Sequence, residues 1–156
     1  GSIPTFARTP RDAAFSAAAS TGLPVWAGFS VRRGGDGSVL AFLPDHDVAF
    51  RELLSVLKRY DVAAAGIMHS QANVTADALA VLQSAFDGPL LAYPDSGYFK
   101  SPTWVFEDVI PPEEFHGFAR AWIDVGLQIV GGGCGLTPAH IEVLGAFKNC
   151  EARSRD

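Results

Sequence analysis

One cysteine lies in the most glycine-rich stretch of the sequence, residues 128–141, which read QIVGGGCGLTPAHI. The apolar residues before Gly131 predict a strand, and Thr137 followed by Pro138 predicts the start of a helix. Backbone amides of a glycine loop and of a helix N-terminus attract anions, so this segment is a candidate phosphate cradle. Cys134, in its centre, is either a site residue or a small buried side chain.

Four apolar segments, each followed by helical periodicity, must position this loop. They do not alternate polar with apolar residues, which predicts parallel strands buried on both faces. The predicted strands are residues 24–31, 62–68, 89–94 and 127–132. The predicted helices are residues 10–20 and one after each strand, beginning behind Asp45, Thr75, Pro111 and Thr137.

Alternating strands and helices predict right-handed parallel crossovers, as in an open doubly wound sheet or a (β/α)8 barrel. No G-x-G-x-x-G motif follows the first strand, so a dinucleotide-binding sheet loses its main support. A complete barrel needs about 250 residues and eight units, and this chain has 156 residues. We therefore predict an α/β fold of about four strands and five helices, half of a TIM-type (β/α)8 barrel, as a single domain over residues 1–156.

The composition limits the class of protein. The net charge is −5 and no cluster of Lys and Arg occurs, which argues against a nucleic-acid surface. No run of about 18 apolar residues predicts a membrane span, and no signal sequence is recognised. Two cysteines, Cys134 and Cys150, are too few for a disulfide framework, so a reducing cytoplasm is predicted. Gly1 and Ser2 are interpreted as the scar of an expression tag.

Four segments, taken in order, resemble the homocysteine S-methyltransferase family. The segment IVGGGCGLTPAHI is similar to a C-terminal signature in which a strand ends in Gly-Gly-Cys-Cys and continues through Thr-Pro to His-Ile. LAYPDSGYF is similar to the family's Tyr-Pro-Asn-Ser-Gly segment. AAAGIMHS falls where the family has Gly-x-Asn-Cys, and LPVWAGFSV falls where a strand runs into Ser-Phe. The resemblance covers this chain but only the C-terminal half of a family member.

This resemblance implies zinc-dependent methyl transfer to a thiol such as homocysteine, giving methionine. In the family three cysteines hold one zinc ion, one from Gly-x-Asn-Cys and two from Gly-Gly-Cys-Cys. An open fourth position on zinc accepts the substrate sulfur and deprotonates it near neutral pH. The thiolate then attacks a methyl group on a sulfonium, ammonium or folate donor. Barrel active sites of this kind lie at the C-terminal ends of the strands.

Two of the three zinc positions differ in this sequence. Cys134 matches the second cysteine of the signature, but Gly133 stands at the first, and His69 stands at the cysteine of the other motif. Because imidazole can bind zinc, the resemblance implies Cys134 and His69 as the metal-binding residues of a degenerate site. Two protein ligands are fewer than the three that catalytic zinc sites usually have. The alternative for His69 is a hydrogen-bonded structural histidine.

Substrate binding is predicted at the same strand ends. Asp95 stands where the family has Asn and can supply an oxygen, although turn chemistry alone also accounts for this segment. His140, in the first turn of the last helix, is predicted to orient a loop, and Trp104 is a candidate lid residue. No catalytic residue is assigned. The predicted substrate-binding residues are Tyr93, Asp95, Ser96, Gly132 and Gly133.

The expected partners are a small-molecule thiol and a methyl donor, with neither nucleic acid nor membrane. Half a barrel leaves unpaired backbone on its two outer strands. We therefore expect a homo-oligomer or pairing with a missing N-terminal half. The alternative function is a metal-free family member that binds a small molecule, such as a phosphate compound, or that serves as a structural half-barrel.

Overall fold

The computed structural model describes residues 10–43, 45–100 and 102–148, and of Tyr98 and Phe99 only the backbone. Gly1, Ser2 and Cys150 lie outside these residues. The helices are α1 (Pro10–Ala19), α2 (Phe50–Leu53), α3 (Ala72–Gln83), α4 (Pro112–Asp124) and α5 (Pro138–Val143), with 3-10 turns at Leu54–Lys58 and Leu144–Phe147. The strands are β1 (Trp26–Phe29), β2 (Val31–Arg33), β3 (Val39–Ala41), β4 (Ala64–Gln71), β5 (Leu90–Asp95), β6 (Tyr98–Lys100), β7 (Thr103–Val105) and β8 (Ile129–Val130).

The four predicted strands form one parallel sheet in the order β1-β4-β5-β8. Trp26 pairs with Ala64, Ala65 with Leu90, and Leu91 with Ile129. Each pair is joined by a helical connection, as alternating strand and helix patterns require. The predicted α/β architecture is therefore confirmed, and the carboxyl ends of β4, β5 and β8 meet at one edge of the sheet.

Helices cover one face of this sheet. The strand residues on that face belong to the main hydrophobic core, which also contains Phe50 of α2, Leu79 of α3, and Phe115 and Trp122 of α4. These strand residues are Ala27, Phe29, Ala65, Ile67, Leu90 and Ala92. The opposite face is more open, and Trp26 on β1 is 61% exposed. Burial on both faces is thus confirmed along Ala64–Ile67 and is wrong for β1, because no described element covers Trp26.

Helix starts follow the predicted pattern unevenly. Thr137 caps α5 and Pro138 occupies its first turn, as predicted. Asp45 does not cap α2, which begins at Phe50, because the preceding segment pairs with β3 and Val48 accepts a hydrogen bond from Ala41. Thr75 lies inside α3 and donates to the carbonyl of Gln71. Within the described ranges, no helix combines the length and apolar character of a transmembrane span.

Two short antiparallel hairpins were not predicted. The first, β2–β3, turns at Asp36 and Gly37, where Gly37 has a φ of +84°. The Ser38 hydroxyl and amide donate to the Asp36 carboxylate and lower the pKa of that carboxyl. The second, β6–β7, lies between the predicted strand at residues 89–94 and the helix predicted behind Pro111, and it carries Trp104. Both hairpins stand beside the carboxyl edge of the sheet.

Candidate active site

A cleft of about 590 Å³ opens at the carboxyl ends of β4 and β5. His69 and Asp95 bring polar groups to it, and Trp104 of the second hairpin forms part of its wall. Barrel-type enzymes place their chemistry at this edge because several strand ends converge there. The predicted site residues His69 and Asp95 are therefore brought together.

The Asp95 carboxylate is the centre of this arrangement. Only 6% of its side chain is exposed, so its charge needs hydrogen-bond donors. Its Oδ1 accepts the backbone N–H of Cys134 at 2.9 Å, and its Oδ2 lies 3.3 Å from Nδ1 of His69. One carboxylate thus joins the exit of β4 to the loop that follows β8.

Gly133 leaves the space that this carboxylate fills. A Cβ atom added at Gly133 would lie 2.0 Å from Asp95 Oδ1 and 3.1 Å from the carbonyl oxygen of Pro94. The first distance is far below any ordinary contact between a Cβ and an oxygen. A side chain at position 133 and the observed position of the Asp95 carboxylate therefore exclude each other.

Hydrogen bonds hold the loop after β8, residues 131–137, along most of its length. The amides of Gly131 and Gly133 donate to Ala92 and Pro94, which continues the parallel ladder past β8. The Cys134 carbonyl accepts the amide of Ser96 at 2.8 Å. Because these loop amides already have acceptors within the protein, they are not available to cradle a phosphate group. A phosphate cradle in this loop would therefore lack the amides of Gly131 and Gly133 as donors.

His140 closes a chain of hydrogen bonds behind the loop. It is 3% exposed, and its Nδ1 accepts the amide N–H of Thr137 at 3.0 Å. Since Nδ1 accepts, Nε2 carries the hydrogen and donates to the Ile110 carbonyl at 2.7 Å. The amide of Ile110 donates in turn to the hydroxyl of Ser96. His140 therefore ties α5 to the loop before α4, in line with the predicted orienting role.

His69 occupies an unusual backbone position. Its φ is +48°, in the left-handed region, at the irregularity between Met68 and Gln71 where β4 shifts register against β5. A non-glycine residue held there carries a conformational cost of order 1 kcal/mol or more. The Ser70 hydroxyl secures the turn by accepting from the amide of Val31 at 2.9 Å and donating to the carbonyl of Met68 at 2.8 Å. The imidazole itself is 57% exposed.

The remaining predicted substrate residues have structural contacts. The ring of Tyr93 packs where a Cβ at Gly131 would stand. The side chain of Leu136 likewise takes the space that a Cβ at Gly132 would need. Ser96 is buried and accepts a hydrogen bond, as described above. Among the five predicted residues, only Asp95 lies on the wall of the cleft.

Sequence patterns missed the outer wall of the cleft, which comes largely from the first hairpin and the segment after it. Arg33 donates to Asp77 at 2.6 Å, and Arg32 pairs with Asp47. Phe42 is exposed on the same wall. Trp104 faces the cleft and stacks on Phe106 with their ring centroids 6.2 Å apart. The only signal for the first hairpin was the Asp36-Gly37 dipeptide, a hairpin-turn pair.

The zinc centre that the resemblance implies needs three ligands. Cys134 supplies one half-buried free thiol, His69 offers an imidazole, and Gly133 supplies no donor. In the part of the chain that the structure describes, no group of three or more His, Cys, Asp or Glu side chains is arranged to hold a metal ion. The Asp95 carboxylate takes the space beside Gly133. These residues therefore do not fit a zinc centre with three protein ligands.

A parallel sheet with helices on one face and a cleft at its strand ends defines the architectural class, which is part of a (β/α)8 barrel. The family model described as "Homocysteine S-methyltransferase" matches residues 6–147. The chain therefore belongs to the homocysteine S-methyltransferase family, and the resemblance is confirmed.

Individual relatives are similar over part of their length. Homocysteine methyltransferase MmuM from Escherichia coli, solved in an apo form, matches with a TM-score of 0.60 and 25% identity over 87% of this chain and 43% of its own. Homocysteine S-methyltransferase 1 of Brassica oleracea var. italica is 27% identical over 62% of this chain and 31% of its own. Selenocysteine Se-methyltransferase of the same plant is 34% identical over 36% of this chain and 17% of its own. The chain spans less than half the length of each.

Proposed function

We propose that this chain forms the C-terminal half of an enzyme that transfers a methyl group to a small thiol such as homocysteine. The observation that carries this proposal is the cleft at the strand ends, which joins His69 and Asp95 in a member of the homocysteine S-methyltransferase family. In the alternative, a metal-free binding or structural half-barrel, the same cleft would hold a ligand without reaction.

The chemistry requires a thiol and a methyl donor held in line. The new S–C bond forms as the donor's bond to the methyl group breaks, and the thiol loses its proton. The exposed imidazole of His69 is placed in the cleft to accept that proton, while Asp95 orients the ring. Phe42 and Trp104 provide apolar walls against which a methyl donor can pack. This arrangement favours desolvation and alignment of the two reactants.

The resemblance predicts zinc dependence, whereas the ligand set of this chain predicts a site without zinc. The donor set lacks a ligand at Gly133, so no step of the proposed reaction is assigned to zinc. The prediction is tested by elemental analysis of zinc per chain, after reconstitution and washing, beside a Cys134→Ser variant. Near-stoichiometric zinc that requires Cys134 would restore the metal-dependent mechanism.

We also propose that another chain or chain segment completes the half-barrel. The relatives above are more than twice as long as the matched region, and the open face of β1 exposes Trp26. The occupant is either an N-terminal half or a second copy. Size-exclusion chromatography with light scattering distinguishes a dimer from a monomer, and a stable monomer would contradict self-association. A cytoplasmic location remains part of this proposal, on the basis of cysteine usage.

The activity is tested with homocysteine and a ¹³C-methyl sulfonium donor, with ammonium and folate donors in parallel, by mass spectrometry of labelled methionine. The full-length protein is used if the chain proves to be a segment of a longer one. Asp95→Asn should lower the rate by at least about tenfold because the imidazole loses its charged partner. Asp124→Asn, the same change on the exposed face of α4, is the matched control and should leave the rate unchanged. No labelled methionine from any donor would refute methyl transfer.

A further inference from the structure

We propose that the Asp95 carboxylate has replaced a metal-binding thiolate, so that a His69–Asp95 pair stands where the family would hold its metal ion. The pair accepts a hydrogen bond from the substrate. That the donating group is a thiol rests on the proposed function. The competition between Asp95 and a side chain at position 133 is a property of the protein alone and is tested without any activity measurement.

The Asp95 carboxylate and a side chain at position 133 compete for the same space. Asp95 Oδ1 lies 2.0 Å from the position that a Cβ at Gly133 would take, so no cysteine can stand there while the carboxylate keeps its place. The two positions are therefore linked. An Asp at position 95 in this conformation requires glycine at position 133, and a ligand at 133 requires the carboxylate to leave.

The loop after β8 itself holds the Asp95 carboxylate. The amide of Cys134 donates to Oδ1 at 2.9 Å, directly after Gly133 in the chain. A buried carboxylate without such donors would be strongly disfavoured. Asp95 thus forms a structural part of the loop after β8.

The contact with Asp95 determines which ring nitrogen of His69 carries the hydrogen. Because the ionised carboxylate only accepts, Nδ1 of His69 carries the hydrogen in the contact with Oδ2 at 3.3 Å. Nε2 is then left as an acceptor on a ring that is 57% exposed and faces the cleft. An acceptor at this point suits a substrate that presents S–H, O–H or N–H. A thiol is the substrate class that the proposed function supplies.

The experiment attempts to rebuild the metal centre. One variant, His69→Cys with Gly133→Cys, restores three cysteines together with Cys134 but keeps Asp95. A second variant adds Asp95→Gly, which frees the space. Each is titrated with zinc against a chromophoric chelator and with Co²⁺, whose thiolate absorption bands report sulfur coordination. Circular dichroism checks that each variant is folded.

The inference predicts no stoichiometric zinc in the wild-type chain. It also predicts zinc affinity about 10- to 100-fold higher in the variant that lacks Asp95 than in the one that keeps it. In the variant that keeps Asp95, zinc binding must break the charged hydrogen bond between Asp95 and the Cys134 amide. Equal affinities, or one zinc per wild-type chain that depends on His69 and Cys134, would overturn the proposal.

A second measurement applies if a variant does not fold. The ¹⁵N shifts of His69 in the wild-type chain should report the tautomer with hydrogen on Nδ1, and Asp95→Ala should abolish that preference. The same tautomer in both proteins would contradict the pairing. If the zinc series and the tautomer agree with the inference but homocysteine leaves the His69 signals unshifted, the paired site stands and the thiol substrate of the proposed function is wrong.

Discussion

The exits of β8 and β4 reach the same Asp95 carboxylate from two sides, and they are built differently. The β8 exit, residues 131–137, is held by backbone hydrogen bonds and by buried side chains such as His140. The β4 exit presents one exposed imidazole at a left-handed residue, His69, which has a single 3.3 Å contact to the carboxylate.

This difference separates scaffold from chemistry. In the β8 loop the polar groups described above are already satisfied within the protein, so they fix geometry. At the β4 exit a ring nitrogen remains available, and the backbone carries strain that the protein retains. If His69 accepts the substrate proton as proposed, the glycine-rich loop serves mainly to hold the Asp95 carboxylate that contacts it.

The largest effect on the free energy of unfolding is expected from a substitution in the β8 exit. Gly135→Ala places a Cβ 1.9 Å from the Ser96 carbonyl oxygen at a φ of +80°, so it combines overpacking with backbone strain. We expect a loss of about 2–5 kcal/mol in the free energy of unfolding, measured from urea midpoints. Gly37→Ala is the matched control, because its φ is +84° but nothing lies within 4 Å. It should cost about 1–2 kcal/mol. Equal losses would mean that the contact with Ser96 is not rigid.

A smaller effect is expected from removing the support behind the loop. His140→Ala leaves the Ile110 carbonyl without its donor and should lower the free energy of unfolding by about 2–4 kcal/mol. Amide hydrogen exchange at Ser96 and Cys134 should become faster in the same variant. His116→Ala, which removes a ring stacked on Phe147 with centroids 4.6 Å apart, should cost less than about 1 kcal/mol. Unchanged hydrogen exchange at the Cys134 amide would mean that His140 does not stabilise the loop.

The smallest change in stability is expected at the β4 exit. His69→Gly should alter the free energy of unfolding by less than about 1 kcal/mol, because glycine relieves the left-handed strain as the contact with Asp95 is lost. His69→Ala keeps the strain and should be about 1 kcal/mol less stable than His69→Gly. Both variants should lose methyl transfer. A large destabilisation by His69→Gly would show that this exit is also scaffold.

Sequence patterns predict the β8 exit best. Thr137 and Pro138 have strong local preferences for a helix start, and an apolar run before glycines indicates a strand end. These preferences depend on neighbouring residues only, so the helix start and the strand end can be predicted without knowledge of the tertiary contacts.

The other exit could not be predicted in the same way. The turn at His69 is held by Ser70, whose hydroxyl accepts from Val31, 39 positions away in the sequence. Histidine is enriched at positive φ relative to most residues, but such residues are uncommon, so its local preference alone does not predict the turn. Likewise, the segment near Asp45 reads as the approach to a helix but pairs with β3 through a bridge between Leu40 and Ala49. Pairing with another segment of the chain, distant at Ser70 and nearby at Ala49, decided both regions.

The order of the parallel sheet has a consequence for how the chain folds. β1 pairs with β4, β4 with β5, and β5 with β8, so each sheet strand meets the sheet strand that preceded it along the chain. The loops to be closed are therefore single connections, which keeps the entropic barrier for each step low. During synthesis, which proceeds from the N-terminus, each emerging strand finds its neighbour already made. Each later strand of the sheet can thus add to an edge that already exists.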